Sequence, residues 1–342
     1  MGGTSVAVIG AGSWGTALAA CVLSKNFEQV ILWCRREVLA REINQDRENK
    51  QYLPGVAIPE HVRATSSIEE AVAGRDLLVW SVPSAHLRGV LKEAAPYCRL
   101  PVDCVNTAKG FEPTTLQRLT EVIKAELADG AASVSVLSGP NHAEEVGLGM
   151  PSASVISNPD SEVAMRLQDA FFTPTFRVYT SLDVVGVELG GALKNVIALA
   201  AGVTDGMGFG DNTKAMLMTR GLVEMVRLGQ KMGADRRTFS GLSGIGDLIA
   251  TCTSKHSRNW NAGYKIGQGQ TLEQVTGGTH MVIEGAFATD AAYRLSQKYD
   301  VEMPLAQSLY RVLFHGAEPI KTLNEAMNRL RKHEYEDVAF SQ

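Results

Sequence analysis

The run from Ser5 to Arg36 constrains this chain more than any other stretch. Ser5-Val6-Ala7-Val8-Ile9 is short, apolar and rich in β-branched residues, the composition of a buried strand. Gly10-Ala11-Gly12-Ser13-Trp14-Gly15 follows, then the helix-forming Thr16 to Leu23, then a second apolar run, Val30-Ile31-Leu32-Trp33-Cys34. Strand, glycine turn, helix, strand is the setting in which Gly-x-Gly-x-x-Gly binds a dinucleotide. Gly10 permits the tight turn, Gly12 lets backbone approach a pyrophosphate, and Gly15 lets the helix pack closely on its strand. The start of the helix offers free backbone N–H groups and a positive dipole end to the anion.

The end of the second strand bears on cofactor choice. An Asp or Glu there favours the ribose 2′-hydroxyl of NAD, whereas guanidinium groups suit a 2′-phosphate. Arg35 and Arg36 occupy that end, so NADP(H) is the preferred cofactor; Glu37, one place on, keeps NAD(H) open.

With 342 residues the chain has room for about two domains. It is 45% hydrophobic and 20% charged with a net charge of −4, and no long basic run points to nucleic acid. The five cysteines are scattered without a C-x-x-C pair or a metal-binding spacing. Cys21, Cys34 and Cys104 sit in apolar runs as small hydrophobes. The Leu189 to Val203 run, interrupted by Lys194 and Asn195, reads as too short for a membrane span. With a strand beginning by Ser5 and no leader expected, a reduced cytoplasm fits.

Further strands are expected at Leu77–Val82, Val102–Asn106, Val134–Leu137, Ala153–Ser157 and Phe176–Tyr179. Helices are expected at Glu37–Asn44, from Ser66-Ser67, around His86, at Thr114–Leu127 and at Asp160–Ala170, with a turn at Tyr52–Gly55. Such alternation calls for a doubly wound, mostly parallel sheet over residues 1–182, an α/β domain of the Rossmann type. Ligands bind such sheets beyond the carboxyl ends of the strands. Three loops lie there: Gly10–Gly15, Asn106–Gly110 with Lys109, and Ser138–Ala143.

From about Asp183 the pattern turns helical, so residues 183–342 form an all-helical domain. Val184–Gly202 and Asn212–Met232 are long helices, the second with Asp211 as N-cap; Pro304 begins another, and the tail after Lys332 is polar. Lys194 stands out within an apolar stretch, because a buried lysine is costly unless paired. Burial also lowers a lysine's pKa, which suits proton transfer near neutrality. Asp247, in the glycine-rich Leu242–Leu248 run, is a candidate partner. Ser257-Arg258-Asn259 offers hydroxyl, guanidinium and amide together, a set suited to a phosphate monoester.

In order along the chain, Gly10–Ala17, Ala108-Lys109-Gly110, Ser138-Gly139-Pro140, Gly190–Ala198, Gly244–Leu248, Thr251-Cys252-Thr253, Ser257-Arg258-Asn259, Val282-Ile283-Glu284-Gly285 and Val301–Pro304 resemble the bacterial-type NAD(P)-dependent glycerol-3-phosphate dehydrogenases. The resemblance runs from about residue 5 to about residue 330. It implies a helical domain of the 6-phosphogluconate-dehydrogenase-like type and a homodimer. It also implies reversible reduction of dihydroxyacetone phosphate to glycerol 3-phosphate, for phospholipid synthesis in the cytoplasm. By this resemblance Lys194 is the proton-transfer residue, and Lys109, Gly139, Asn141, Asp247, Ser257, Arg258 and Asn259 join it in binding substrate. Ser13, Trp14, Arg35, Lys109, Ala143, Arg258, Val282 and Glu284 are its cofactor contacts. Asn141-His142 departs from the commoner Ser or Thr followed by Phe. A related two-domain hydroxy-acid dehydrogenase and a non-enzymatic NADP(H) sensor are the other readings.

Overall fold

The computed structural model describes residues 5–99, 101–127, 131–278 and 282–328. It divides into two compact units, Met1–Val187 and Glu188–Gln342.

Among its described residues the first unit is built on ten strands: β1 Ser5–Ile9, β2 Gln29–Trp33, β3 Glu48–Asn49, β4 Leu53–Ala57, β5 Val62–Thr65, β6 Leu77–Trp80, β7 Val102–Asn106, β8 Ala131–Ser138, β9 Ser152–Ser157 and β10 Phe176–Ser181. Eight of them form one sheet in the order β10-β9-β8-β7-β6-β1-β2-β5. Every pairing in it is parallel except β8 with β9. β1 is wholly buried because both its faces are covered. Val6 and Val8 join one apolar cluster, Ala7 and Ile9 the other. The chain runs outward from β1 through β2 to β5, then returns to β6 on its other side. That reversal makes the carboxyl ends of β1 and β6 the switch point where such sheets hold ligands.

Three expectations in this unit are corrected. Leu53 to Ala57 extends as β4 and pairs antiparallel with β3, so only the first residue of the Tyr52–Gly55 segment turns. Pro54 is tolerated on that two-stranded ribbon, and the Glu48 carboxylate accepts from the Gly55 N–H at 2.7 Å. The helix expected from Thr114 begins only at Leu119. Before it the Glu112 carboxylate accepts from both the N–H and the hydroxyl of Thr115, closing a local turn that competes with helix. The helix after the glycine turn is α-helical at Ser13–Ala17, then passes through a π-turn at Leu18–Val22 and a 3-10 turn at Leu23–Lys25.

The second unit is helical throughout its described residues. Its central helix, Val184–Gly206, is 23 residues long, so the expectation of a run too short to span a membrane is corrected. It is apolar around its circumference because it is a core helix: 89% of its most apolar window is buried inside the protein. Helix Arg258–Gly267 lies against it along a glycine seam. A Cβ on Gly202 or Gly206 would stand 2.1 or 2.2 Å from the carbonyl oxygen of Trp260 or Tyr264. One on Gly263 or Gly267 would stand 2.1 Å from that of Leu199 or Val203. Helix Asp211–Lys231 has Gly210, not Asp211, as its N-cap, because extended Gly210 leaves Asp211 already helical. Helix Pro304–His315 begins at the expected proline. The polar tail beyond Lys332 lies outside the described residues.

Glu224 joins two of these helices. Its buried carboxylate accepts from the N–H groups of Leu305 (2.6 Å) and Ala306 (3.1 Å), capping Pro304–His315. Burial pushes its pKa up to about 7, with the two N–H groups and the Arg227 and Arg220 charges pulling it down. A folded pKa above the unfolded value means that the folded chain holds the extra proton between about pH 4.5 and 7. Stability from this group is complete below that window and is lost as pH rises through it. Glu224→Gln should therefore flatten the fall in stability between pH 5 and pH 8 by up to about 3 kcal/mol. Urea unfolding at the two pH values measures it; identical slopes for both proteins would contradict this account.

Candidate functional site

In the first unit the glycine turn leaves β1 toward the switch point. Gly10 has φ +123°, and a Cβ there would stand 2.6 Å from the Ser81 carbonyl oxygen at the end of β6. A Cβ on Gly15 would stand 1.9 Å from the Gly10 oxygen, so the helix can sit this close to its turn only with glycine. Gly12 differs: nothing lies within 4 Å of where its Cβ would be. The backbone there is open to a ligand, and the first helical turn holds no carboxylate to repel an anion. These features fit a pyrophosphate. Ser13 Oγ donates to the Tyr52 carbonyl at 2.6 Å, and Trp14 packs on the core beside Phe176.

Past β2, Arg35 is exposed and Arg36 donates to Gln51 Oε1. Glu37 is the first residue of helix Glu37–Asp46 and pairs along it with Arg41 at 3.8 Å. The strand end is thus left to guanidinium groups, which fits a 2′-phosphate.

The second and third loops are tied together. Lys109 Nζ donates to the Gly139 carbonyl at 3.0 Å. Gly139 has φ +159°, and a Cβ there would lie 2.9 Å from the Ala153 oxygen. Asn141 is braced on β9: its Nδ2 donates to the Ala153 carbonyl (3.1 Å) and its Oδ1 accepts from Ser154 Oγ (2.6 Å). This bracing gives the unusual Asn at 141 a structural use. Ala143 is buried at the start of helix Ala143–Gly147.

In the second unit Lys194 is 6% exposed and Asp247 2% exposed. Lys194 Nζ donates to Asp247 Oδ1 and to Thr251 Oγ1, each at 2.6 Å. The Thr251 hydroxyl donates in turn to the Asp247 carbonyl at 2.7 Å, which orients its lone pairs toward the ammonium. Asp247 is the first residue of helix Asp247–Thr253, reached through a π-turn at Leu242–Gly246, rather than a residue of an open loop. Burial pushes the neighbouring Cys252 thiol up to about 12, so it is not a competing nucleophile.

Ser257 caps helix Arg258–Gly267, its Oγ accepting from the Trp260 N–H at 3.2 Å. Arg258, the first helical residue, is exposed, and its guanidinium has no protein partner among the described residues. Asn259 is buried, with Nδ2 donating to Asn195 Oδ1 (2.8 Å) and Oδ1 accepting from the Gly285 N–H (2.8 Å). Val282 is half-buried, and half-buried Glu284 opens helix Glu284–Lys298. Asp205 adds a second tie between helices, accepting from Trp260 Nε1 at 2.6 Å and Lys214 Nζ at 2.8 Å.

Three supporting residues escape the sequence reading. Asn49, 1% exposed, donates to the Ala11 carbonyl (3.0 Å) and to Thr16 Oγ1 (2.8 Å), bracing the glycine turn from 33 to 38 residues away. Thr251 was readable from its i,i+4 spacing to Asp247 on one helix face. Asn195 shows its use only once its partner 64 residues on is in place.

Residues 5–164 match the family model described as the N-terminus of NAD-dependent glycerol-3-phosphate dehydrogenase, and residues 183–324 match its C-terminus. A glycerol-3-phosphate dehydrogenase [NAD(P)+] of Bacillus licheniformis is 51% identical over 98% of this chain and 97% of its own length. One from Pelotomaculum thermopropionicum is 51% identical over 98% and 96%. Among solved structures, glycerol-3-phosphate dehydrogenase from Coxiella burnetii is 34% identical with a TM-score of 0.90, covering 95% of this chain and 99% of that one.

The pair at the centre of the second unit makes its own prediction. Asp247→Ala leaves a buried ammonium without its counter-charge and should cost about 3–5 kcal/mol of stability. Lys194→Met combined with Asp247→Leu should recover most of that loss. Urea midpoints of the parent, the Asp247→Ala variant and the double variant measure it; a double variant as unstable as the Asp247 variant would contradict the pairing.

Proposed function

The chain belongs to the NAD-dependent glycerol-3-phosphate dehydrogenases, oxidoreductases that reduce dihydroxyacetone phosphate to glycerol 3-phosphate with NAD(P)H, and we propose that Lys194 is its proton-transfer residue and Arg258 its phosphate clamp. The observation that supports this best is the buried ammonium held at 2.6 Å by both Asp247 and Thr251. When bound, the reduced nicotinamide supplies the hydride that converts the ketone carbon to a carbinol carbon. Gly10, Gly12, Ser13, Trp14, Gly15 and Ala143 would hold the dinucleotide, with Arg35 and Arg36 on the 2′-phosphate of NADP(H), the preferred form.

Lys194, as ammonium, gives a proton from Nζ to the forming alkoxide, and in the oxidative direction takes it back. Before the transfer its charge stabilises the oxygen as it becomes negative. Asp247 and Thr251 keep Nζ in one place, so little reorganisation is needed as charge develops. Arg258, with Ser257 and Asn259 beside it, grips the phosphate remote from the reacting carbon, and that binding energy serves to position the ketone. Lys109, Gly139 and Asn141 complete the substrate set, and Val282 and Glu284 the cofactor set. In this reading residues 1–182 bind dinucleotide and 183–342 carry the chemistry, in a cytoplasmic homodimer that supplies phospholipid synthesis.

Oxidation of NADPH and of NADH at the nicotinamide absorbance band, with dihydroxyacetone phosphate in parallel cuvettes, tests the reading. Turnover with both and a lower KM for NADPH is expected. Arg35→Ala should raise the NADPH KM about ten-fold, the scale of a lost charged contact, and leave NADH unchanged. Equal effects on the two cofactors would remove the 2′-phosphate role.

A further inference from the structure

We propose that Asn195 is a positioning residue for the reaction: through Asn259 and Gly285 it sets the spacing between the ammonium of Lys194 and the phosphate clamp at Arg258. Each member of this chain of contacts is the sequence neighbour of a site residue. Asn195 follows Lys194 on helix Val184–Gly206, Asn259 follows Arg258 on helix Arg258–Gly267, and Gly285 follows Glu284 on helix Glu284–Lys298. Two hydrogen bonds of 2.8 Å therefore lock three helices together one residue from where each delivers its functional group.

The polarity of the chain is set by chemistry. The Gly285 N–H can only donate, so the atom of Asn259 facing it is Oδ1. Its Nδ2 is thereby turned to Asn195, whose facing atom must be the acceptor Oδ1. Asn195 and Asn259 are 4% and 8% exposed, so water does not readily replace these bonds. Gly285 admits no larger residue: a Cβ there would stand 2.9 Å from both the Asn195 carbonyl oxygen and Asn259 Oδ1. Its own carbonyl accepts from the buried Thr289 hydroxyl at 2.7 Å. The glycine seam brings Arg258–Gly267 and Val184–Gly206 into backbone contact, and the Asp205–Trp260 bond ties them farther along. Both features allow close approach. The Asn195–Asn259 bond is the one placed beside the reacting groups, and a substrate anchored by its phosphate meets Lys194 correctly only if that spacing holds.

The inference rests on the roles given above to Lys194 and Arg258, and a double-mutant cycle separates the two. Asn195→Ala, Arg258→Ala and the double variant are assayed at saturating NADPH over a range of dihydroxyacetone phosphate. Arg258→Ala should raise the KM for the phosphorylated ketone; if it does not, the clamp reading fails first. Given that, Asn195→Ala should lower kcat/KM about ten-fold in the parent, the scale of one buried hydrogen bond, and less than about two-fold in the Arg258→Ala background. Equal factors in both backgrounds would overturn the inference and leave Asn195 a fold residue. If Asn195→Ala does not fold, Asn195→Asp keeps the acceptor oxygen and should keep the parent KM for dihydroxyacetone phosphate. A KM raised as far as in Arg258→Ala would overturn the inference by the same logic.

Discussion

A lysine ammonium inside an apolar helix is the constraint on which the second unit depends. Left alone it would have to give up its charge or its burial. Helix Val184–Gly206 is core over nearly all its length, so Lys194 has nowhere to extend into water. The fold answers with a carboxylate and a hydroxyl from one turn of helix Asp247–Thr253. A charge fixed in a dry place is costly for stability and useful for chemistry, because it need not reorganise when an oxygen nearby becomes negative.

Glycines do comparable work at two other places. In the first unit Gly10 and Gly15 let strand, turn and helix meet at distances no side chain permits, while Gly12 keeps the turn open on its outer side. In the second unit four glycines let two helices touch backbone to backbone. That contact sets the start of Arg258–Gly267, with Ser257 as cap, at a definite height along the helix that bears Lys194. The close packing and the proposed site residues are therefore one arrangement, seen from two sides of the same helices.

Much of this was legible in the sequence. Strands buried on both faces read as unbroken apolar runs, which is why β1, β2, β6 and β7 stood out. Lys194 was conspicuous because its neighbours were apolar, and Asp247 followed as the partner it required. Side-chain competition hid the rest. Glu112 capturing Thr115 delayed a helix whose propensity began at Thr114, and a proline on a two-stranded ribbon disguised β4 as a turn. Asn49 and Asn195 look like ordinary polar residues until their partners arrive from 33 to 64 residues away. Periodicity carries no record of such contacts.

The central claim is that the ammonium of Lys194 moves the proton. Lys194→Met, close in length and without charge, tests it in two measurements on one protein: NADPH affinity by fluorescence titration and turnover of dihydroxyacetone phosphate. The account predicts an unchanged affinity and a kcat lower by at least about a thousand-fold, the range expected when a general acid and its charge are removed together. Turnover within about ten-fold of the parent, with NADPH bound normally, would contradict it and move the proton to another group.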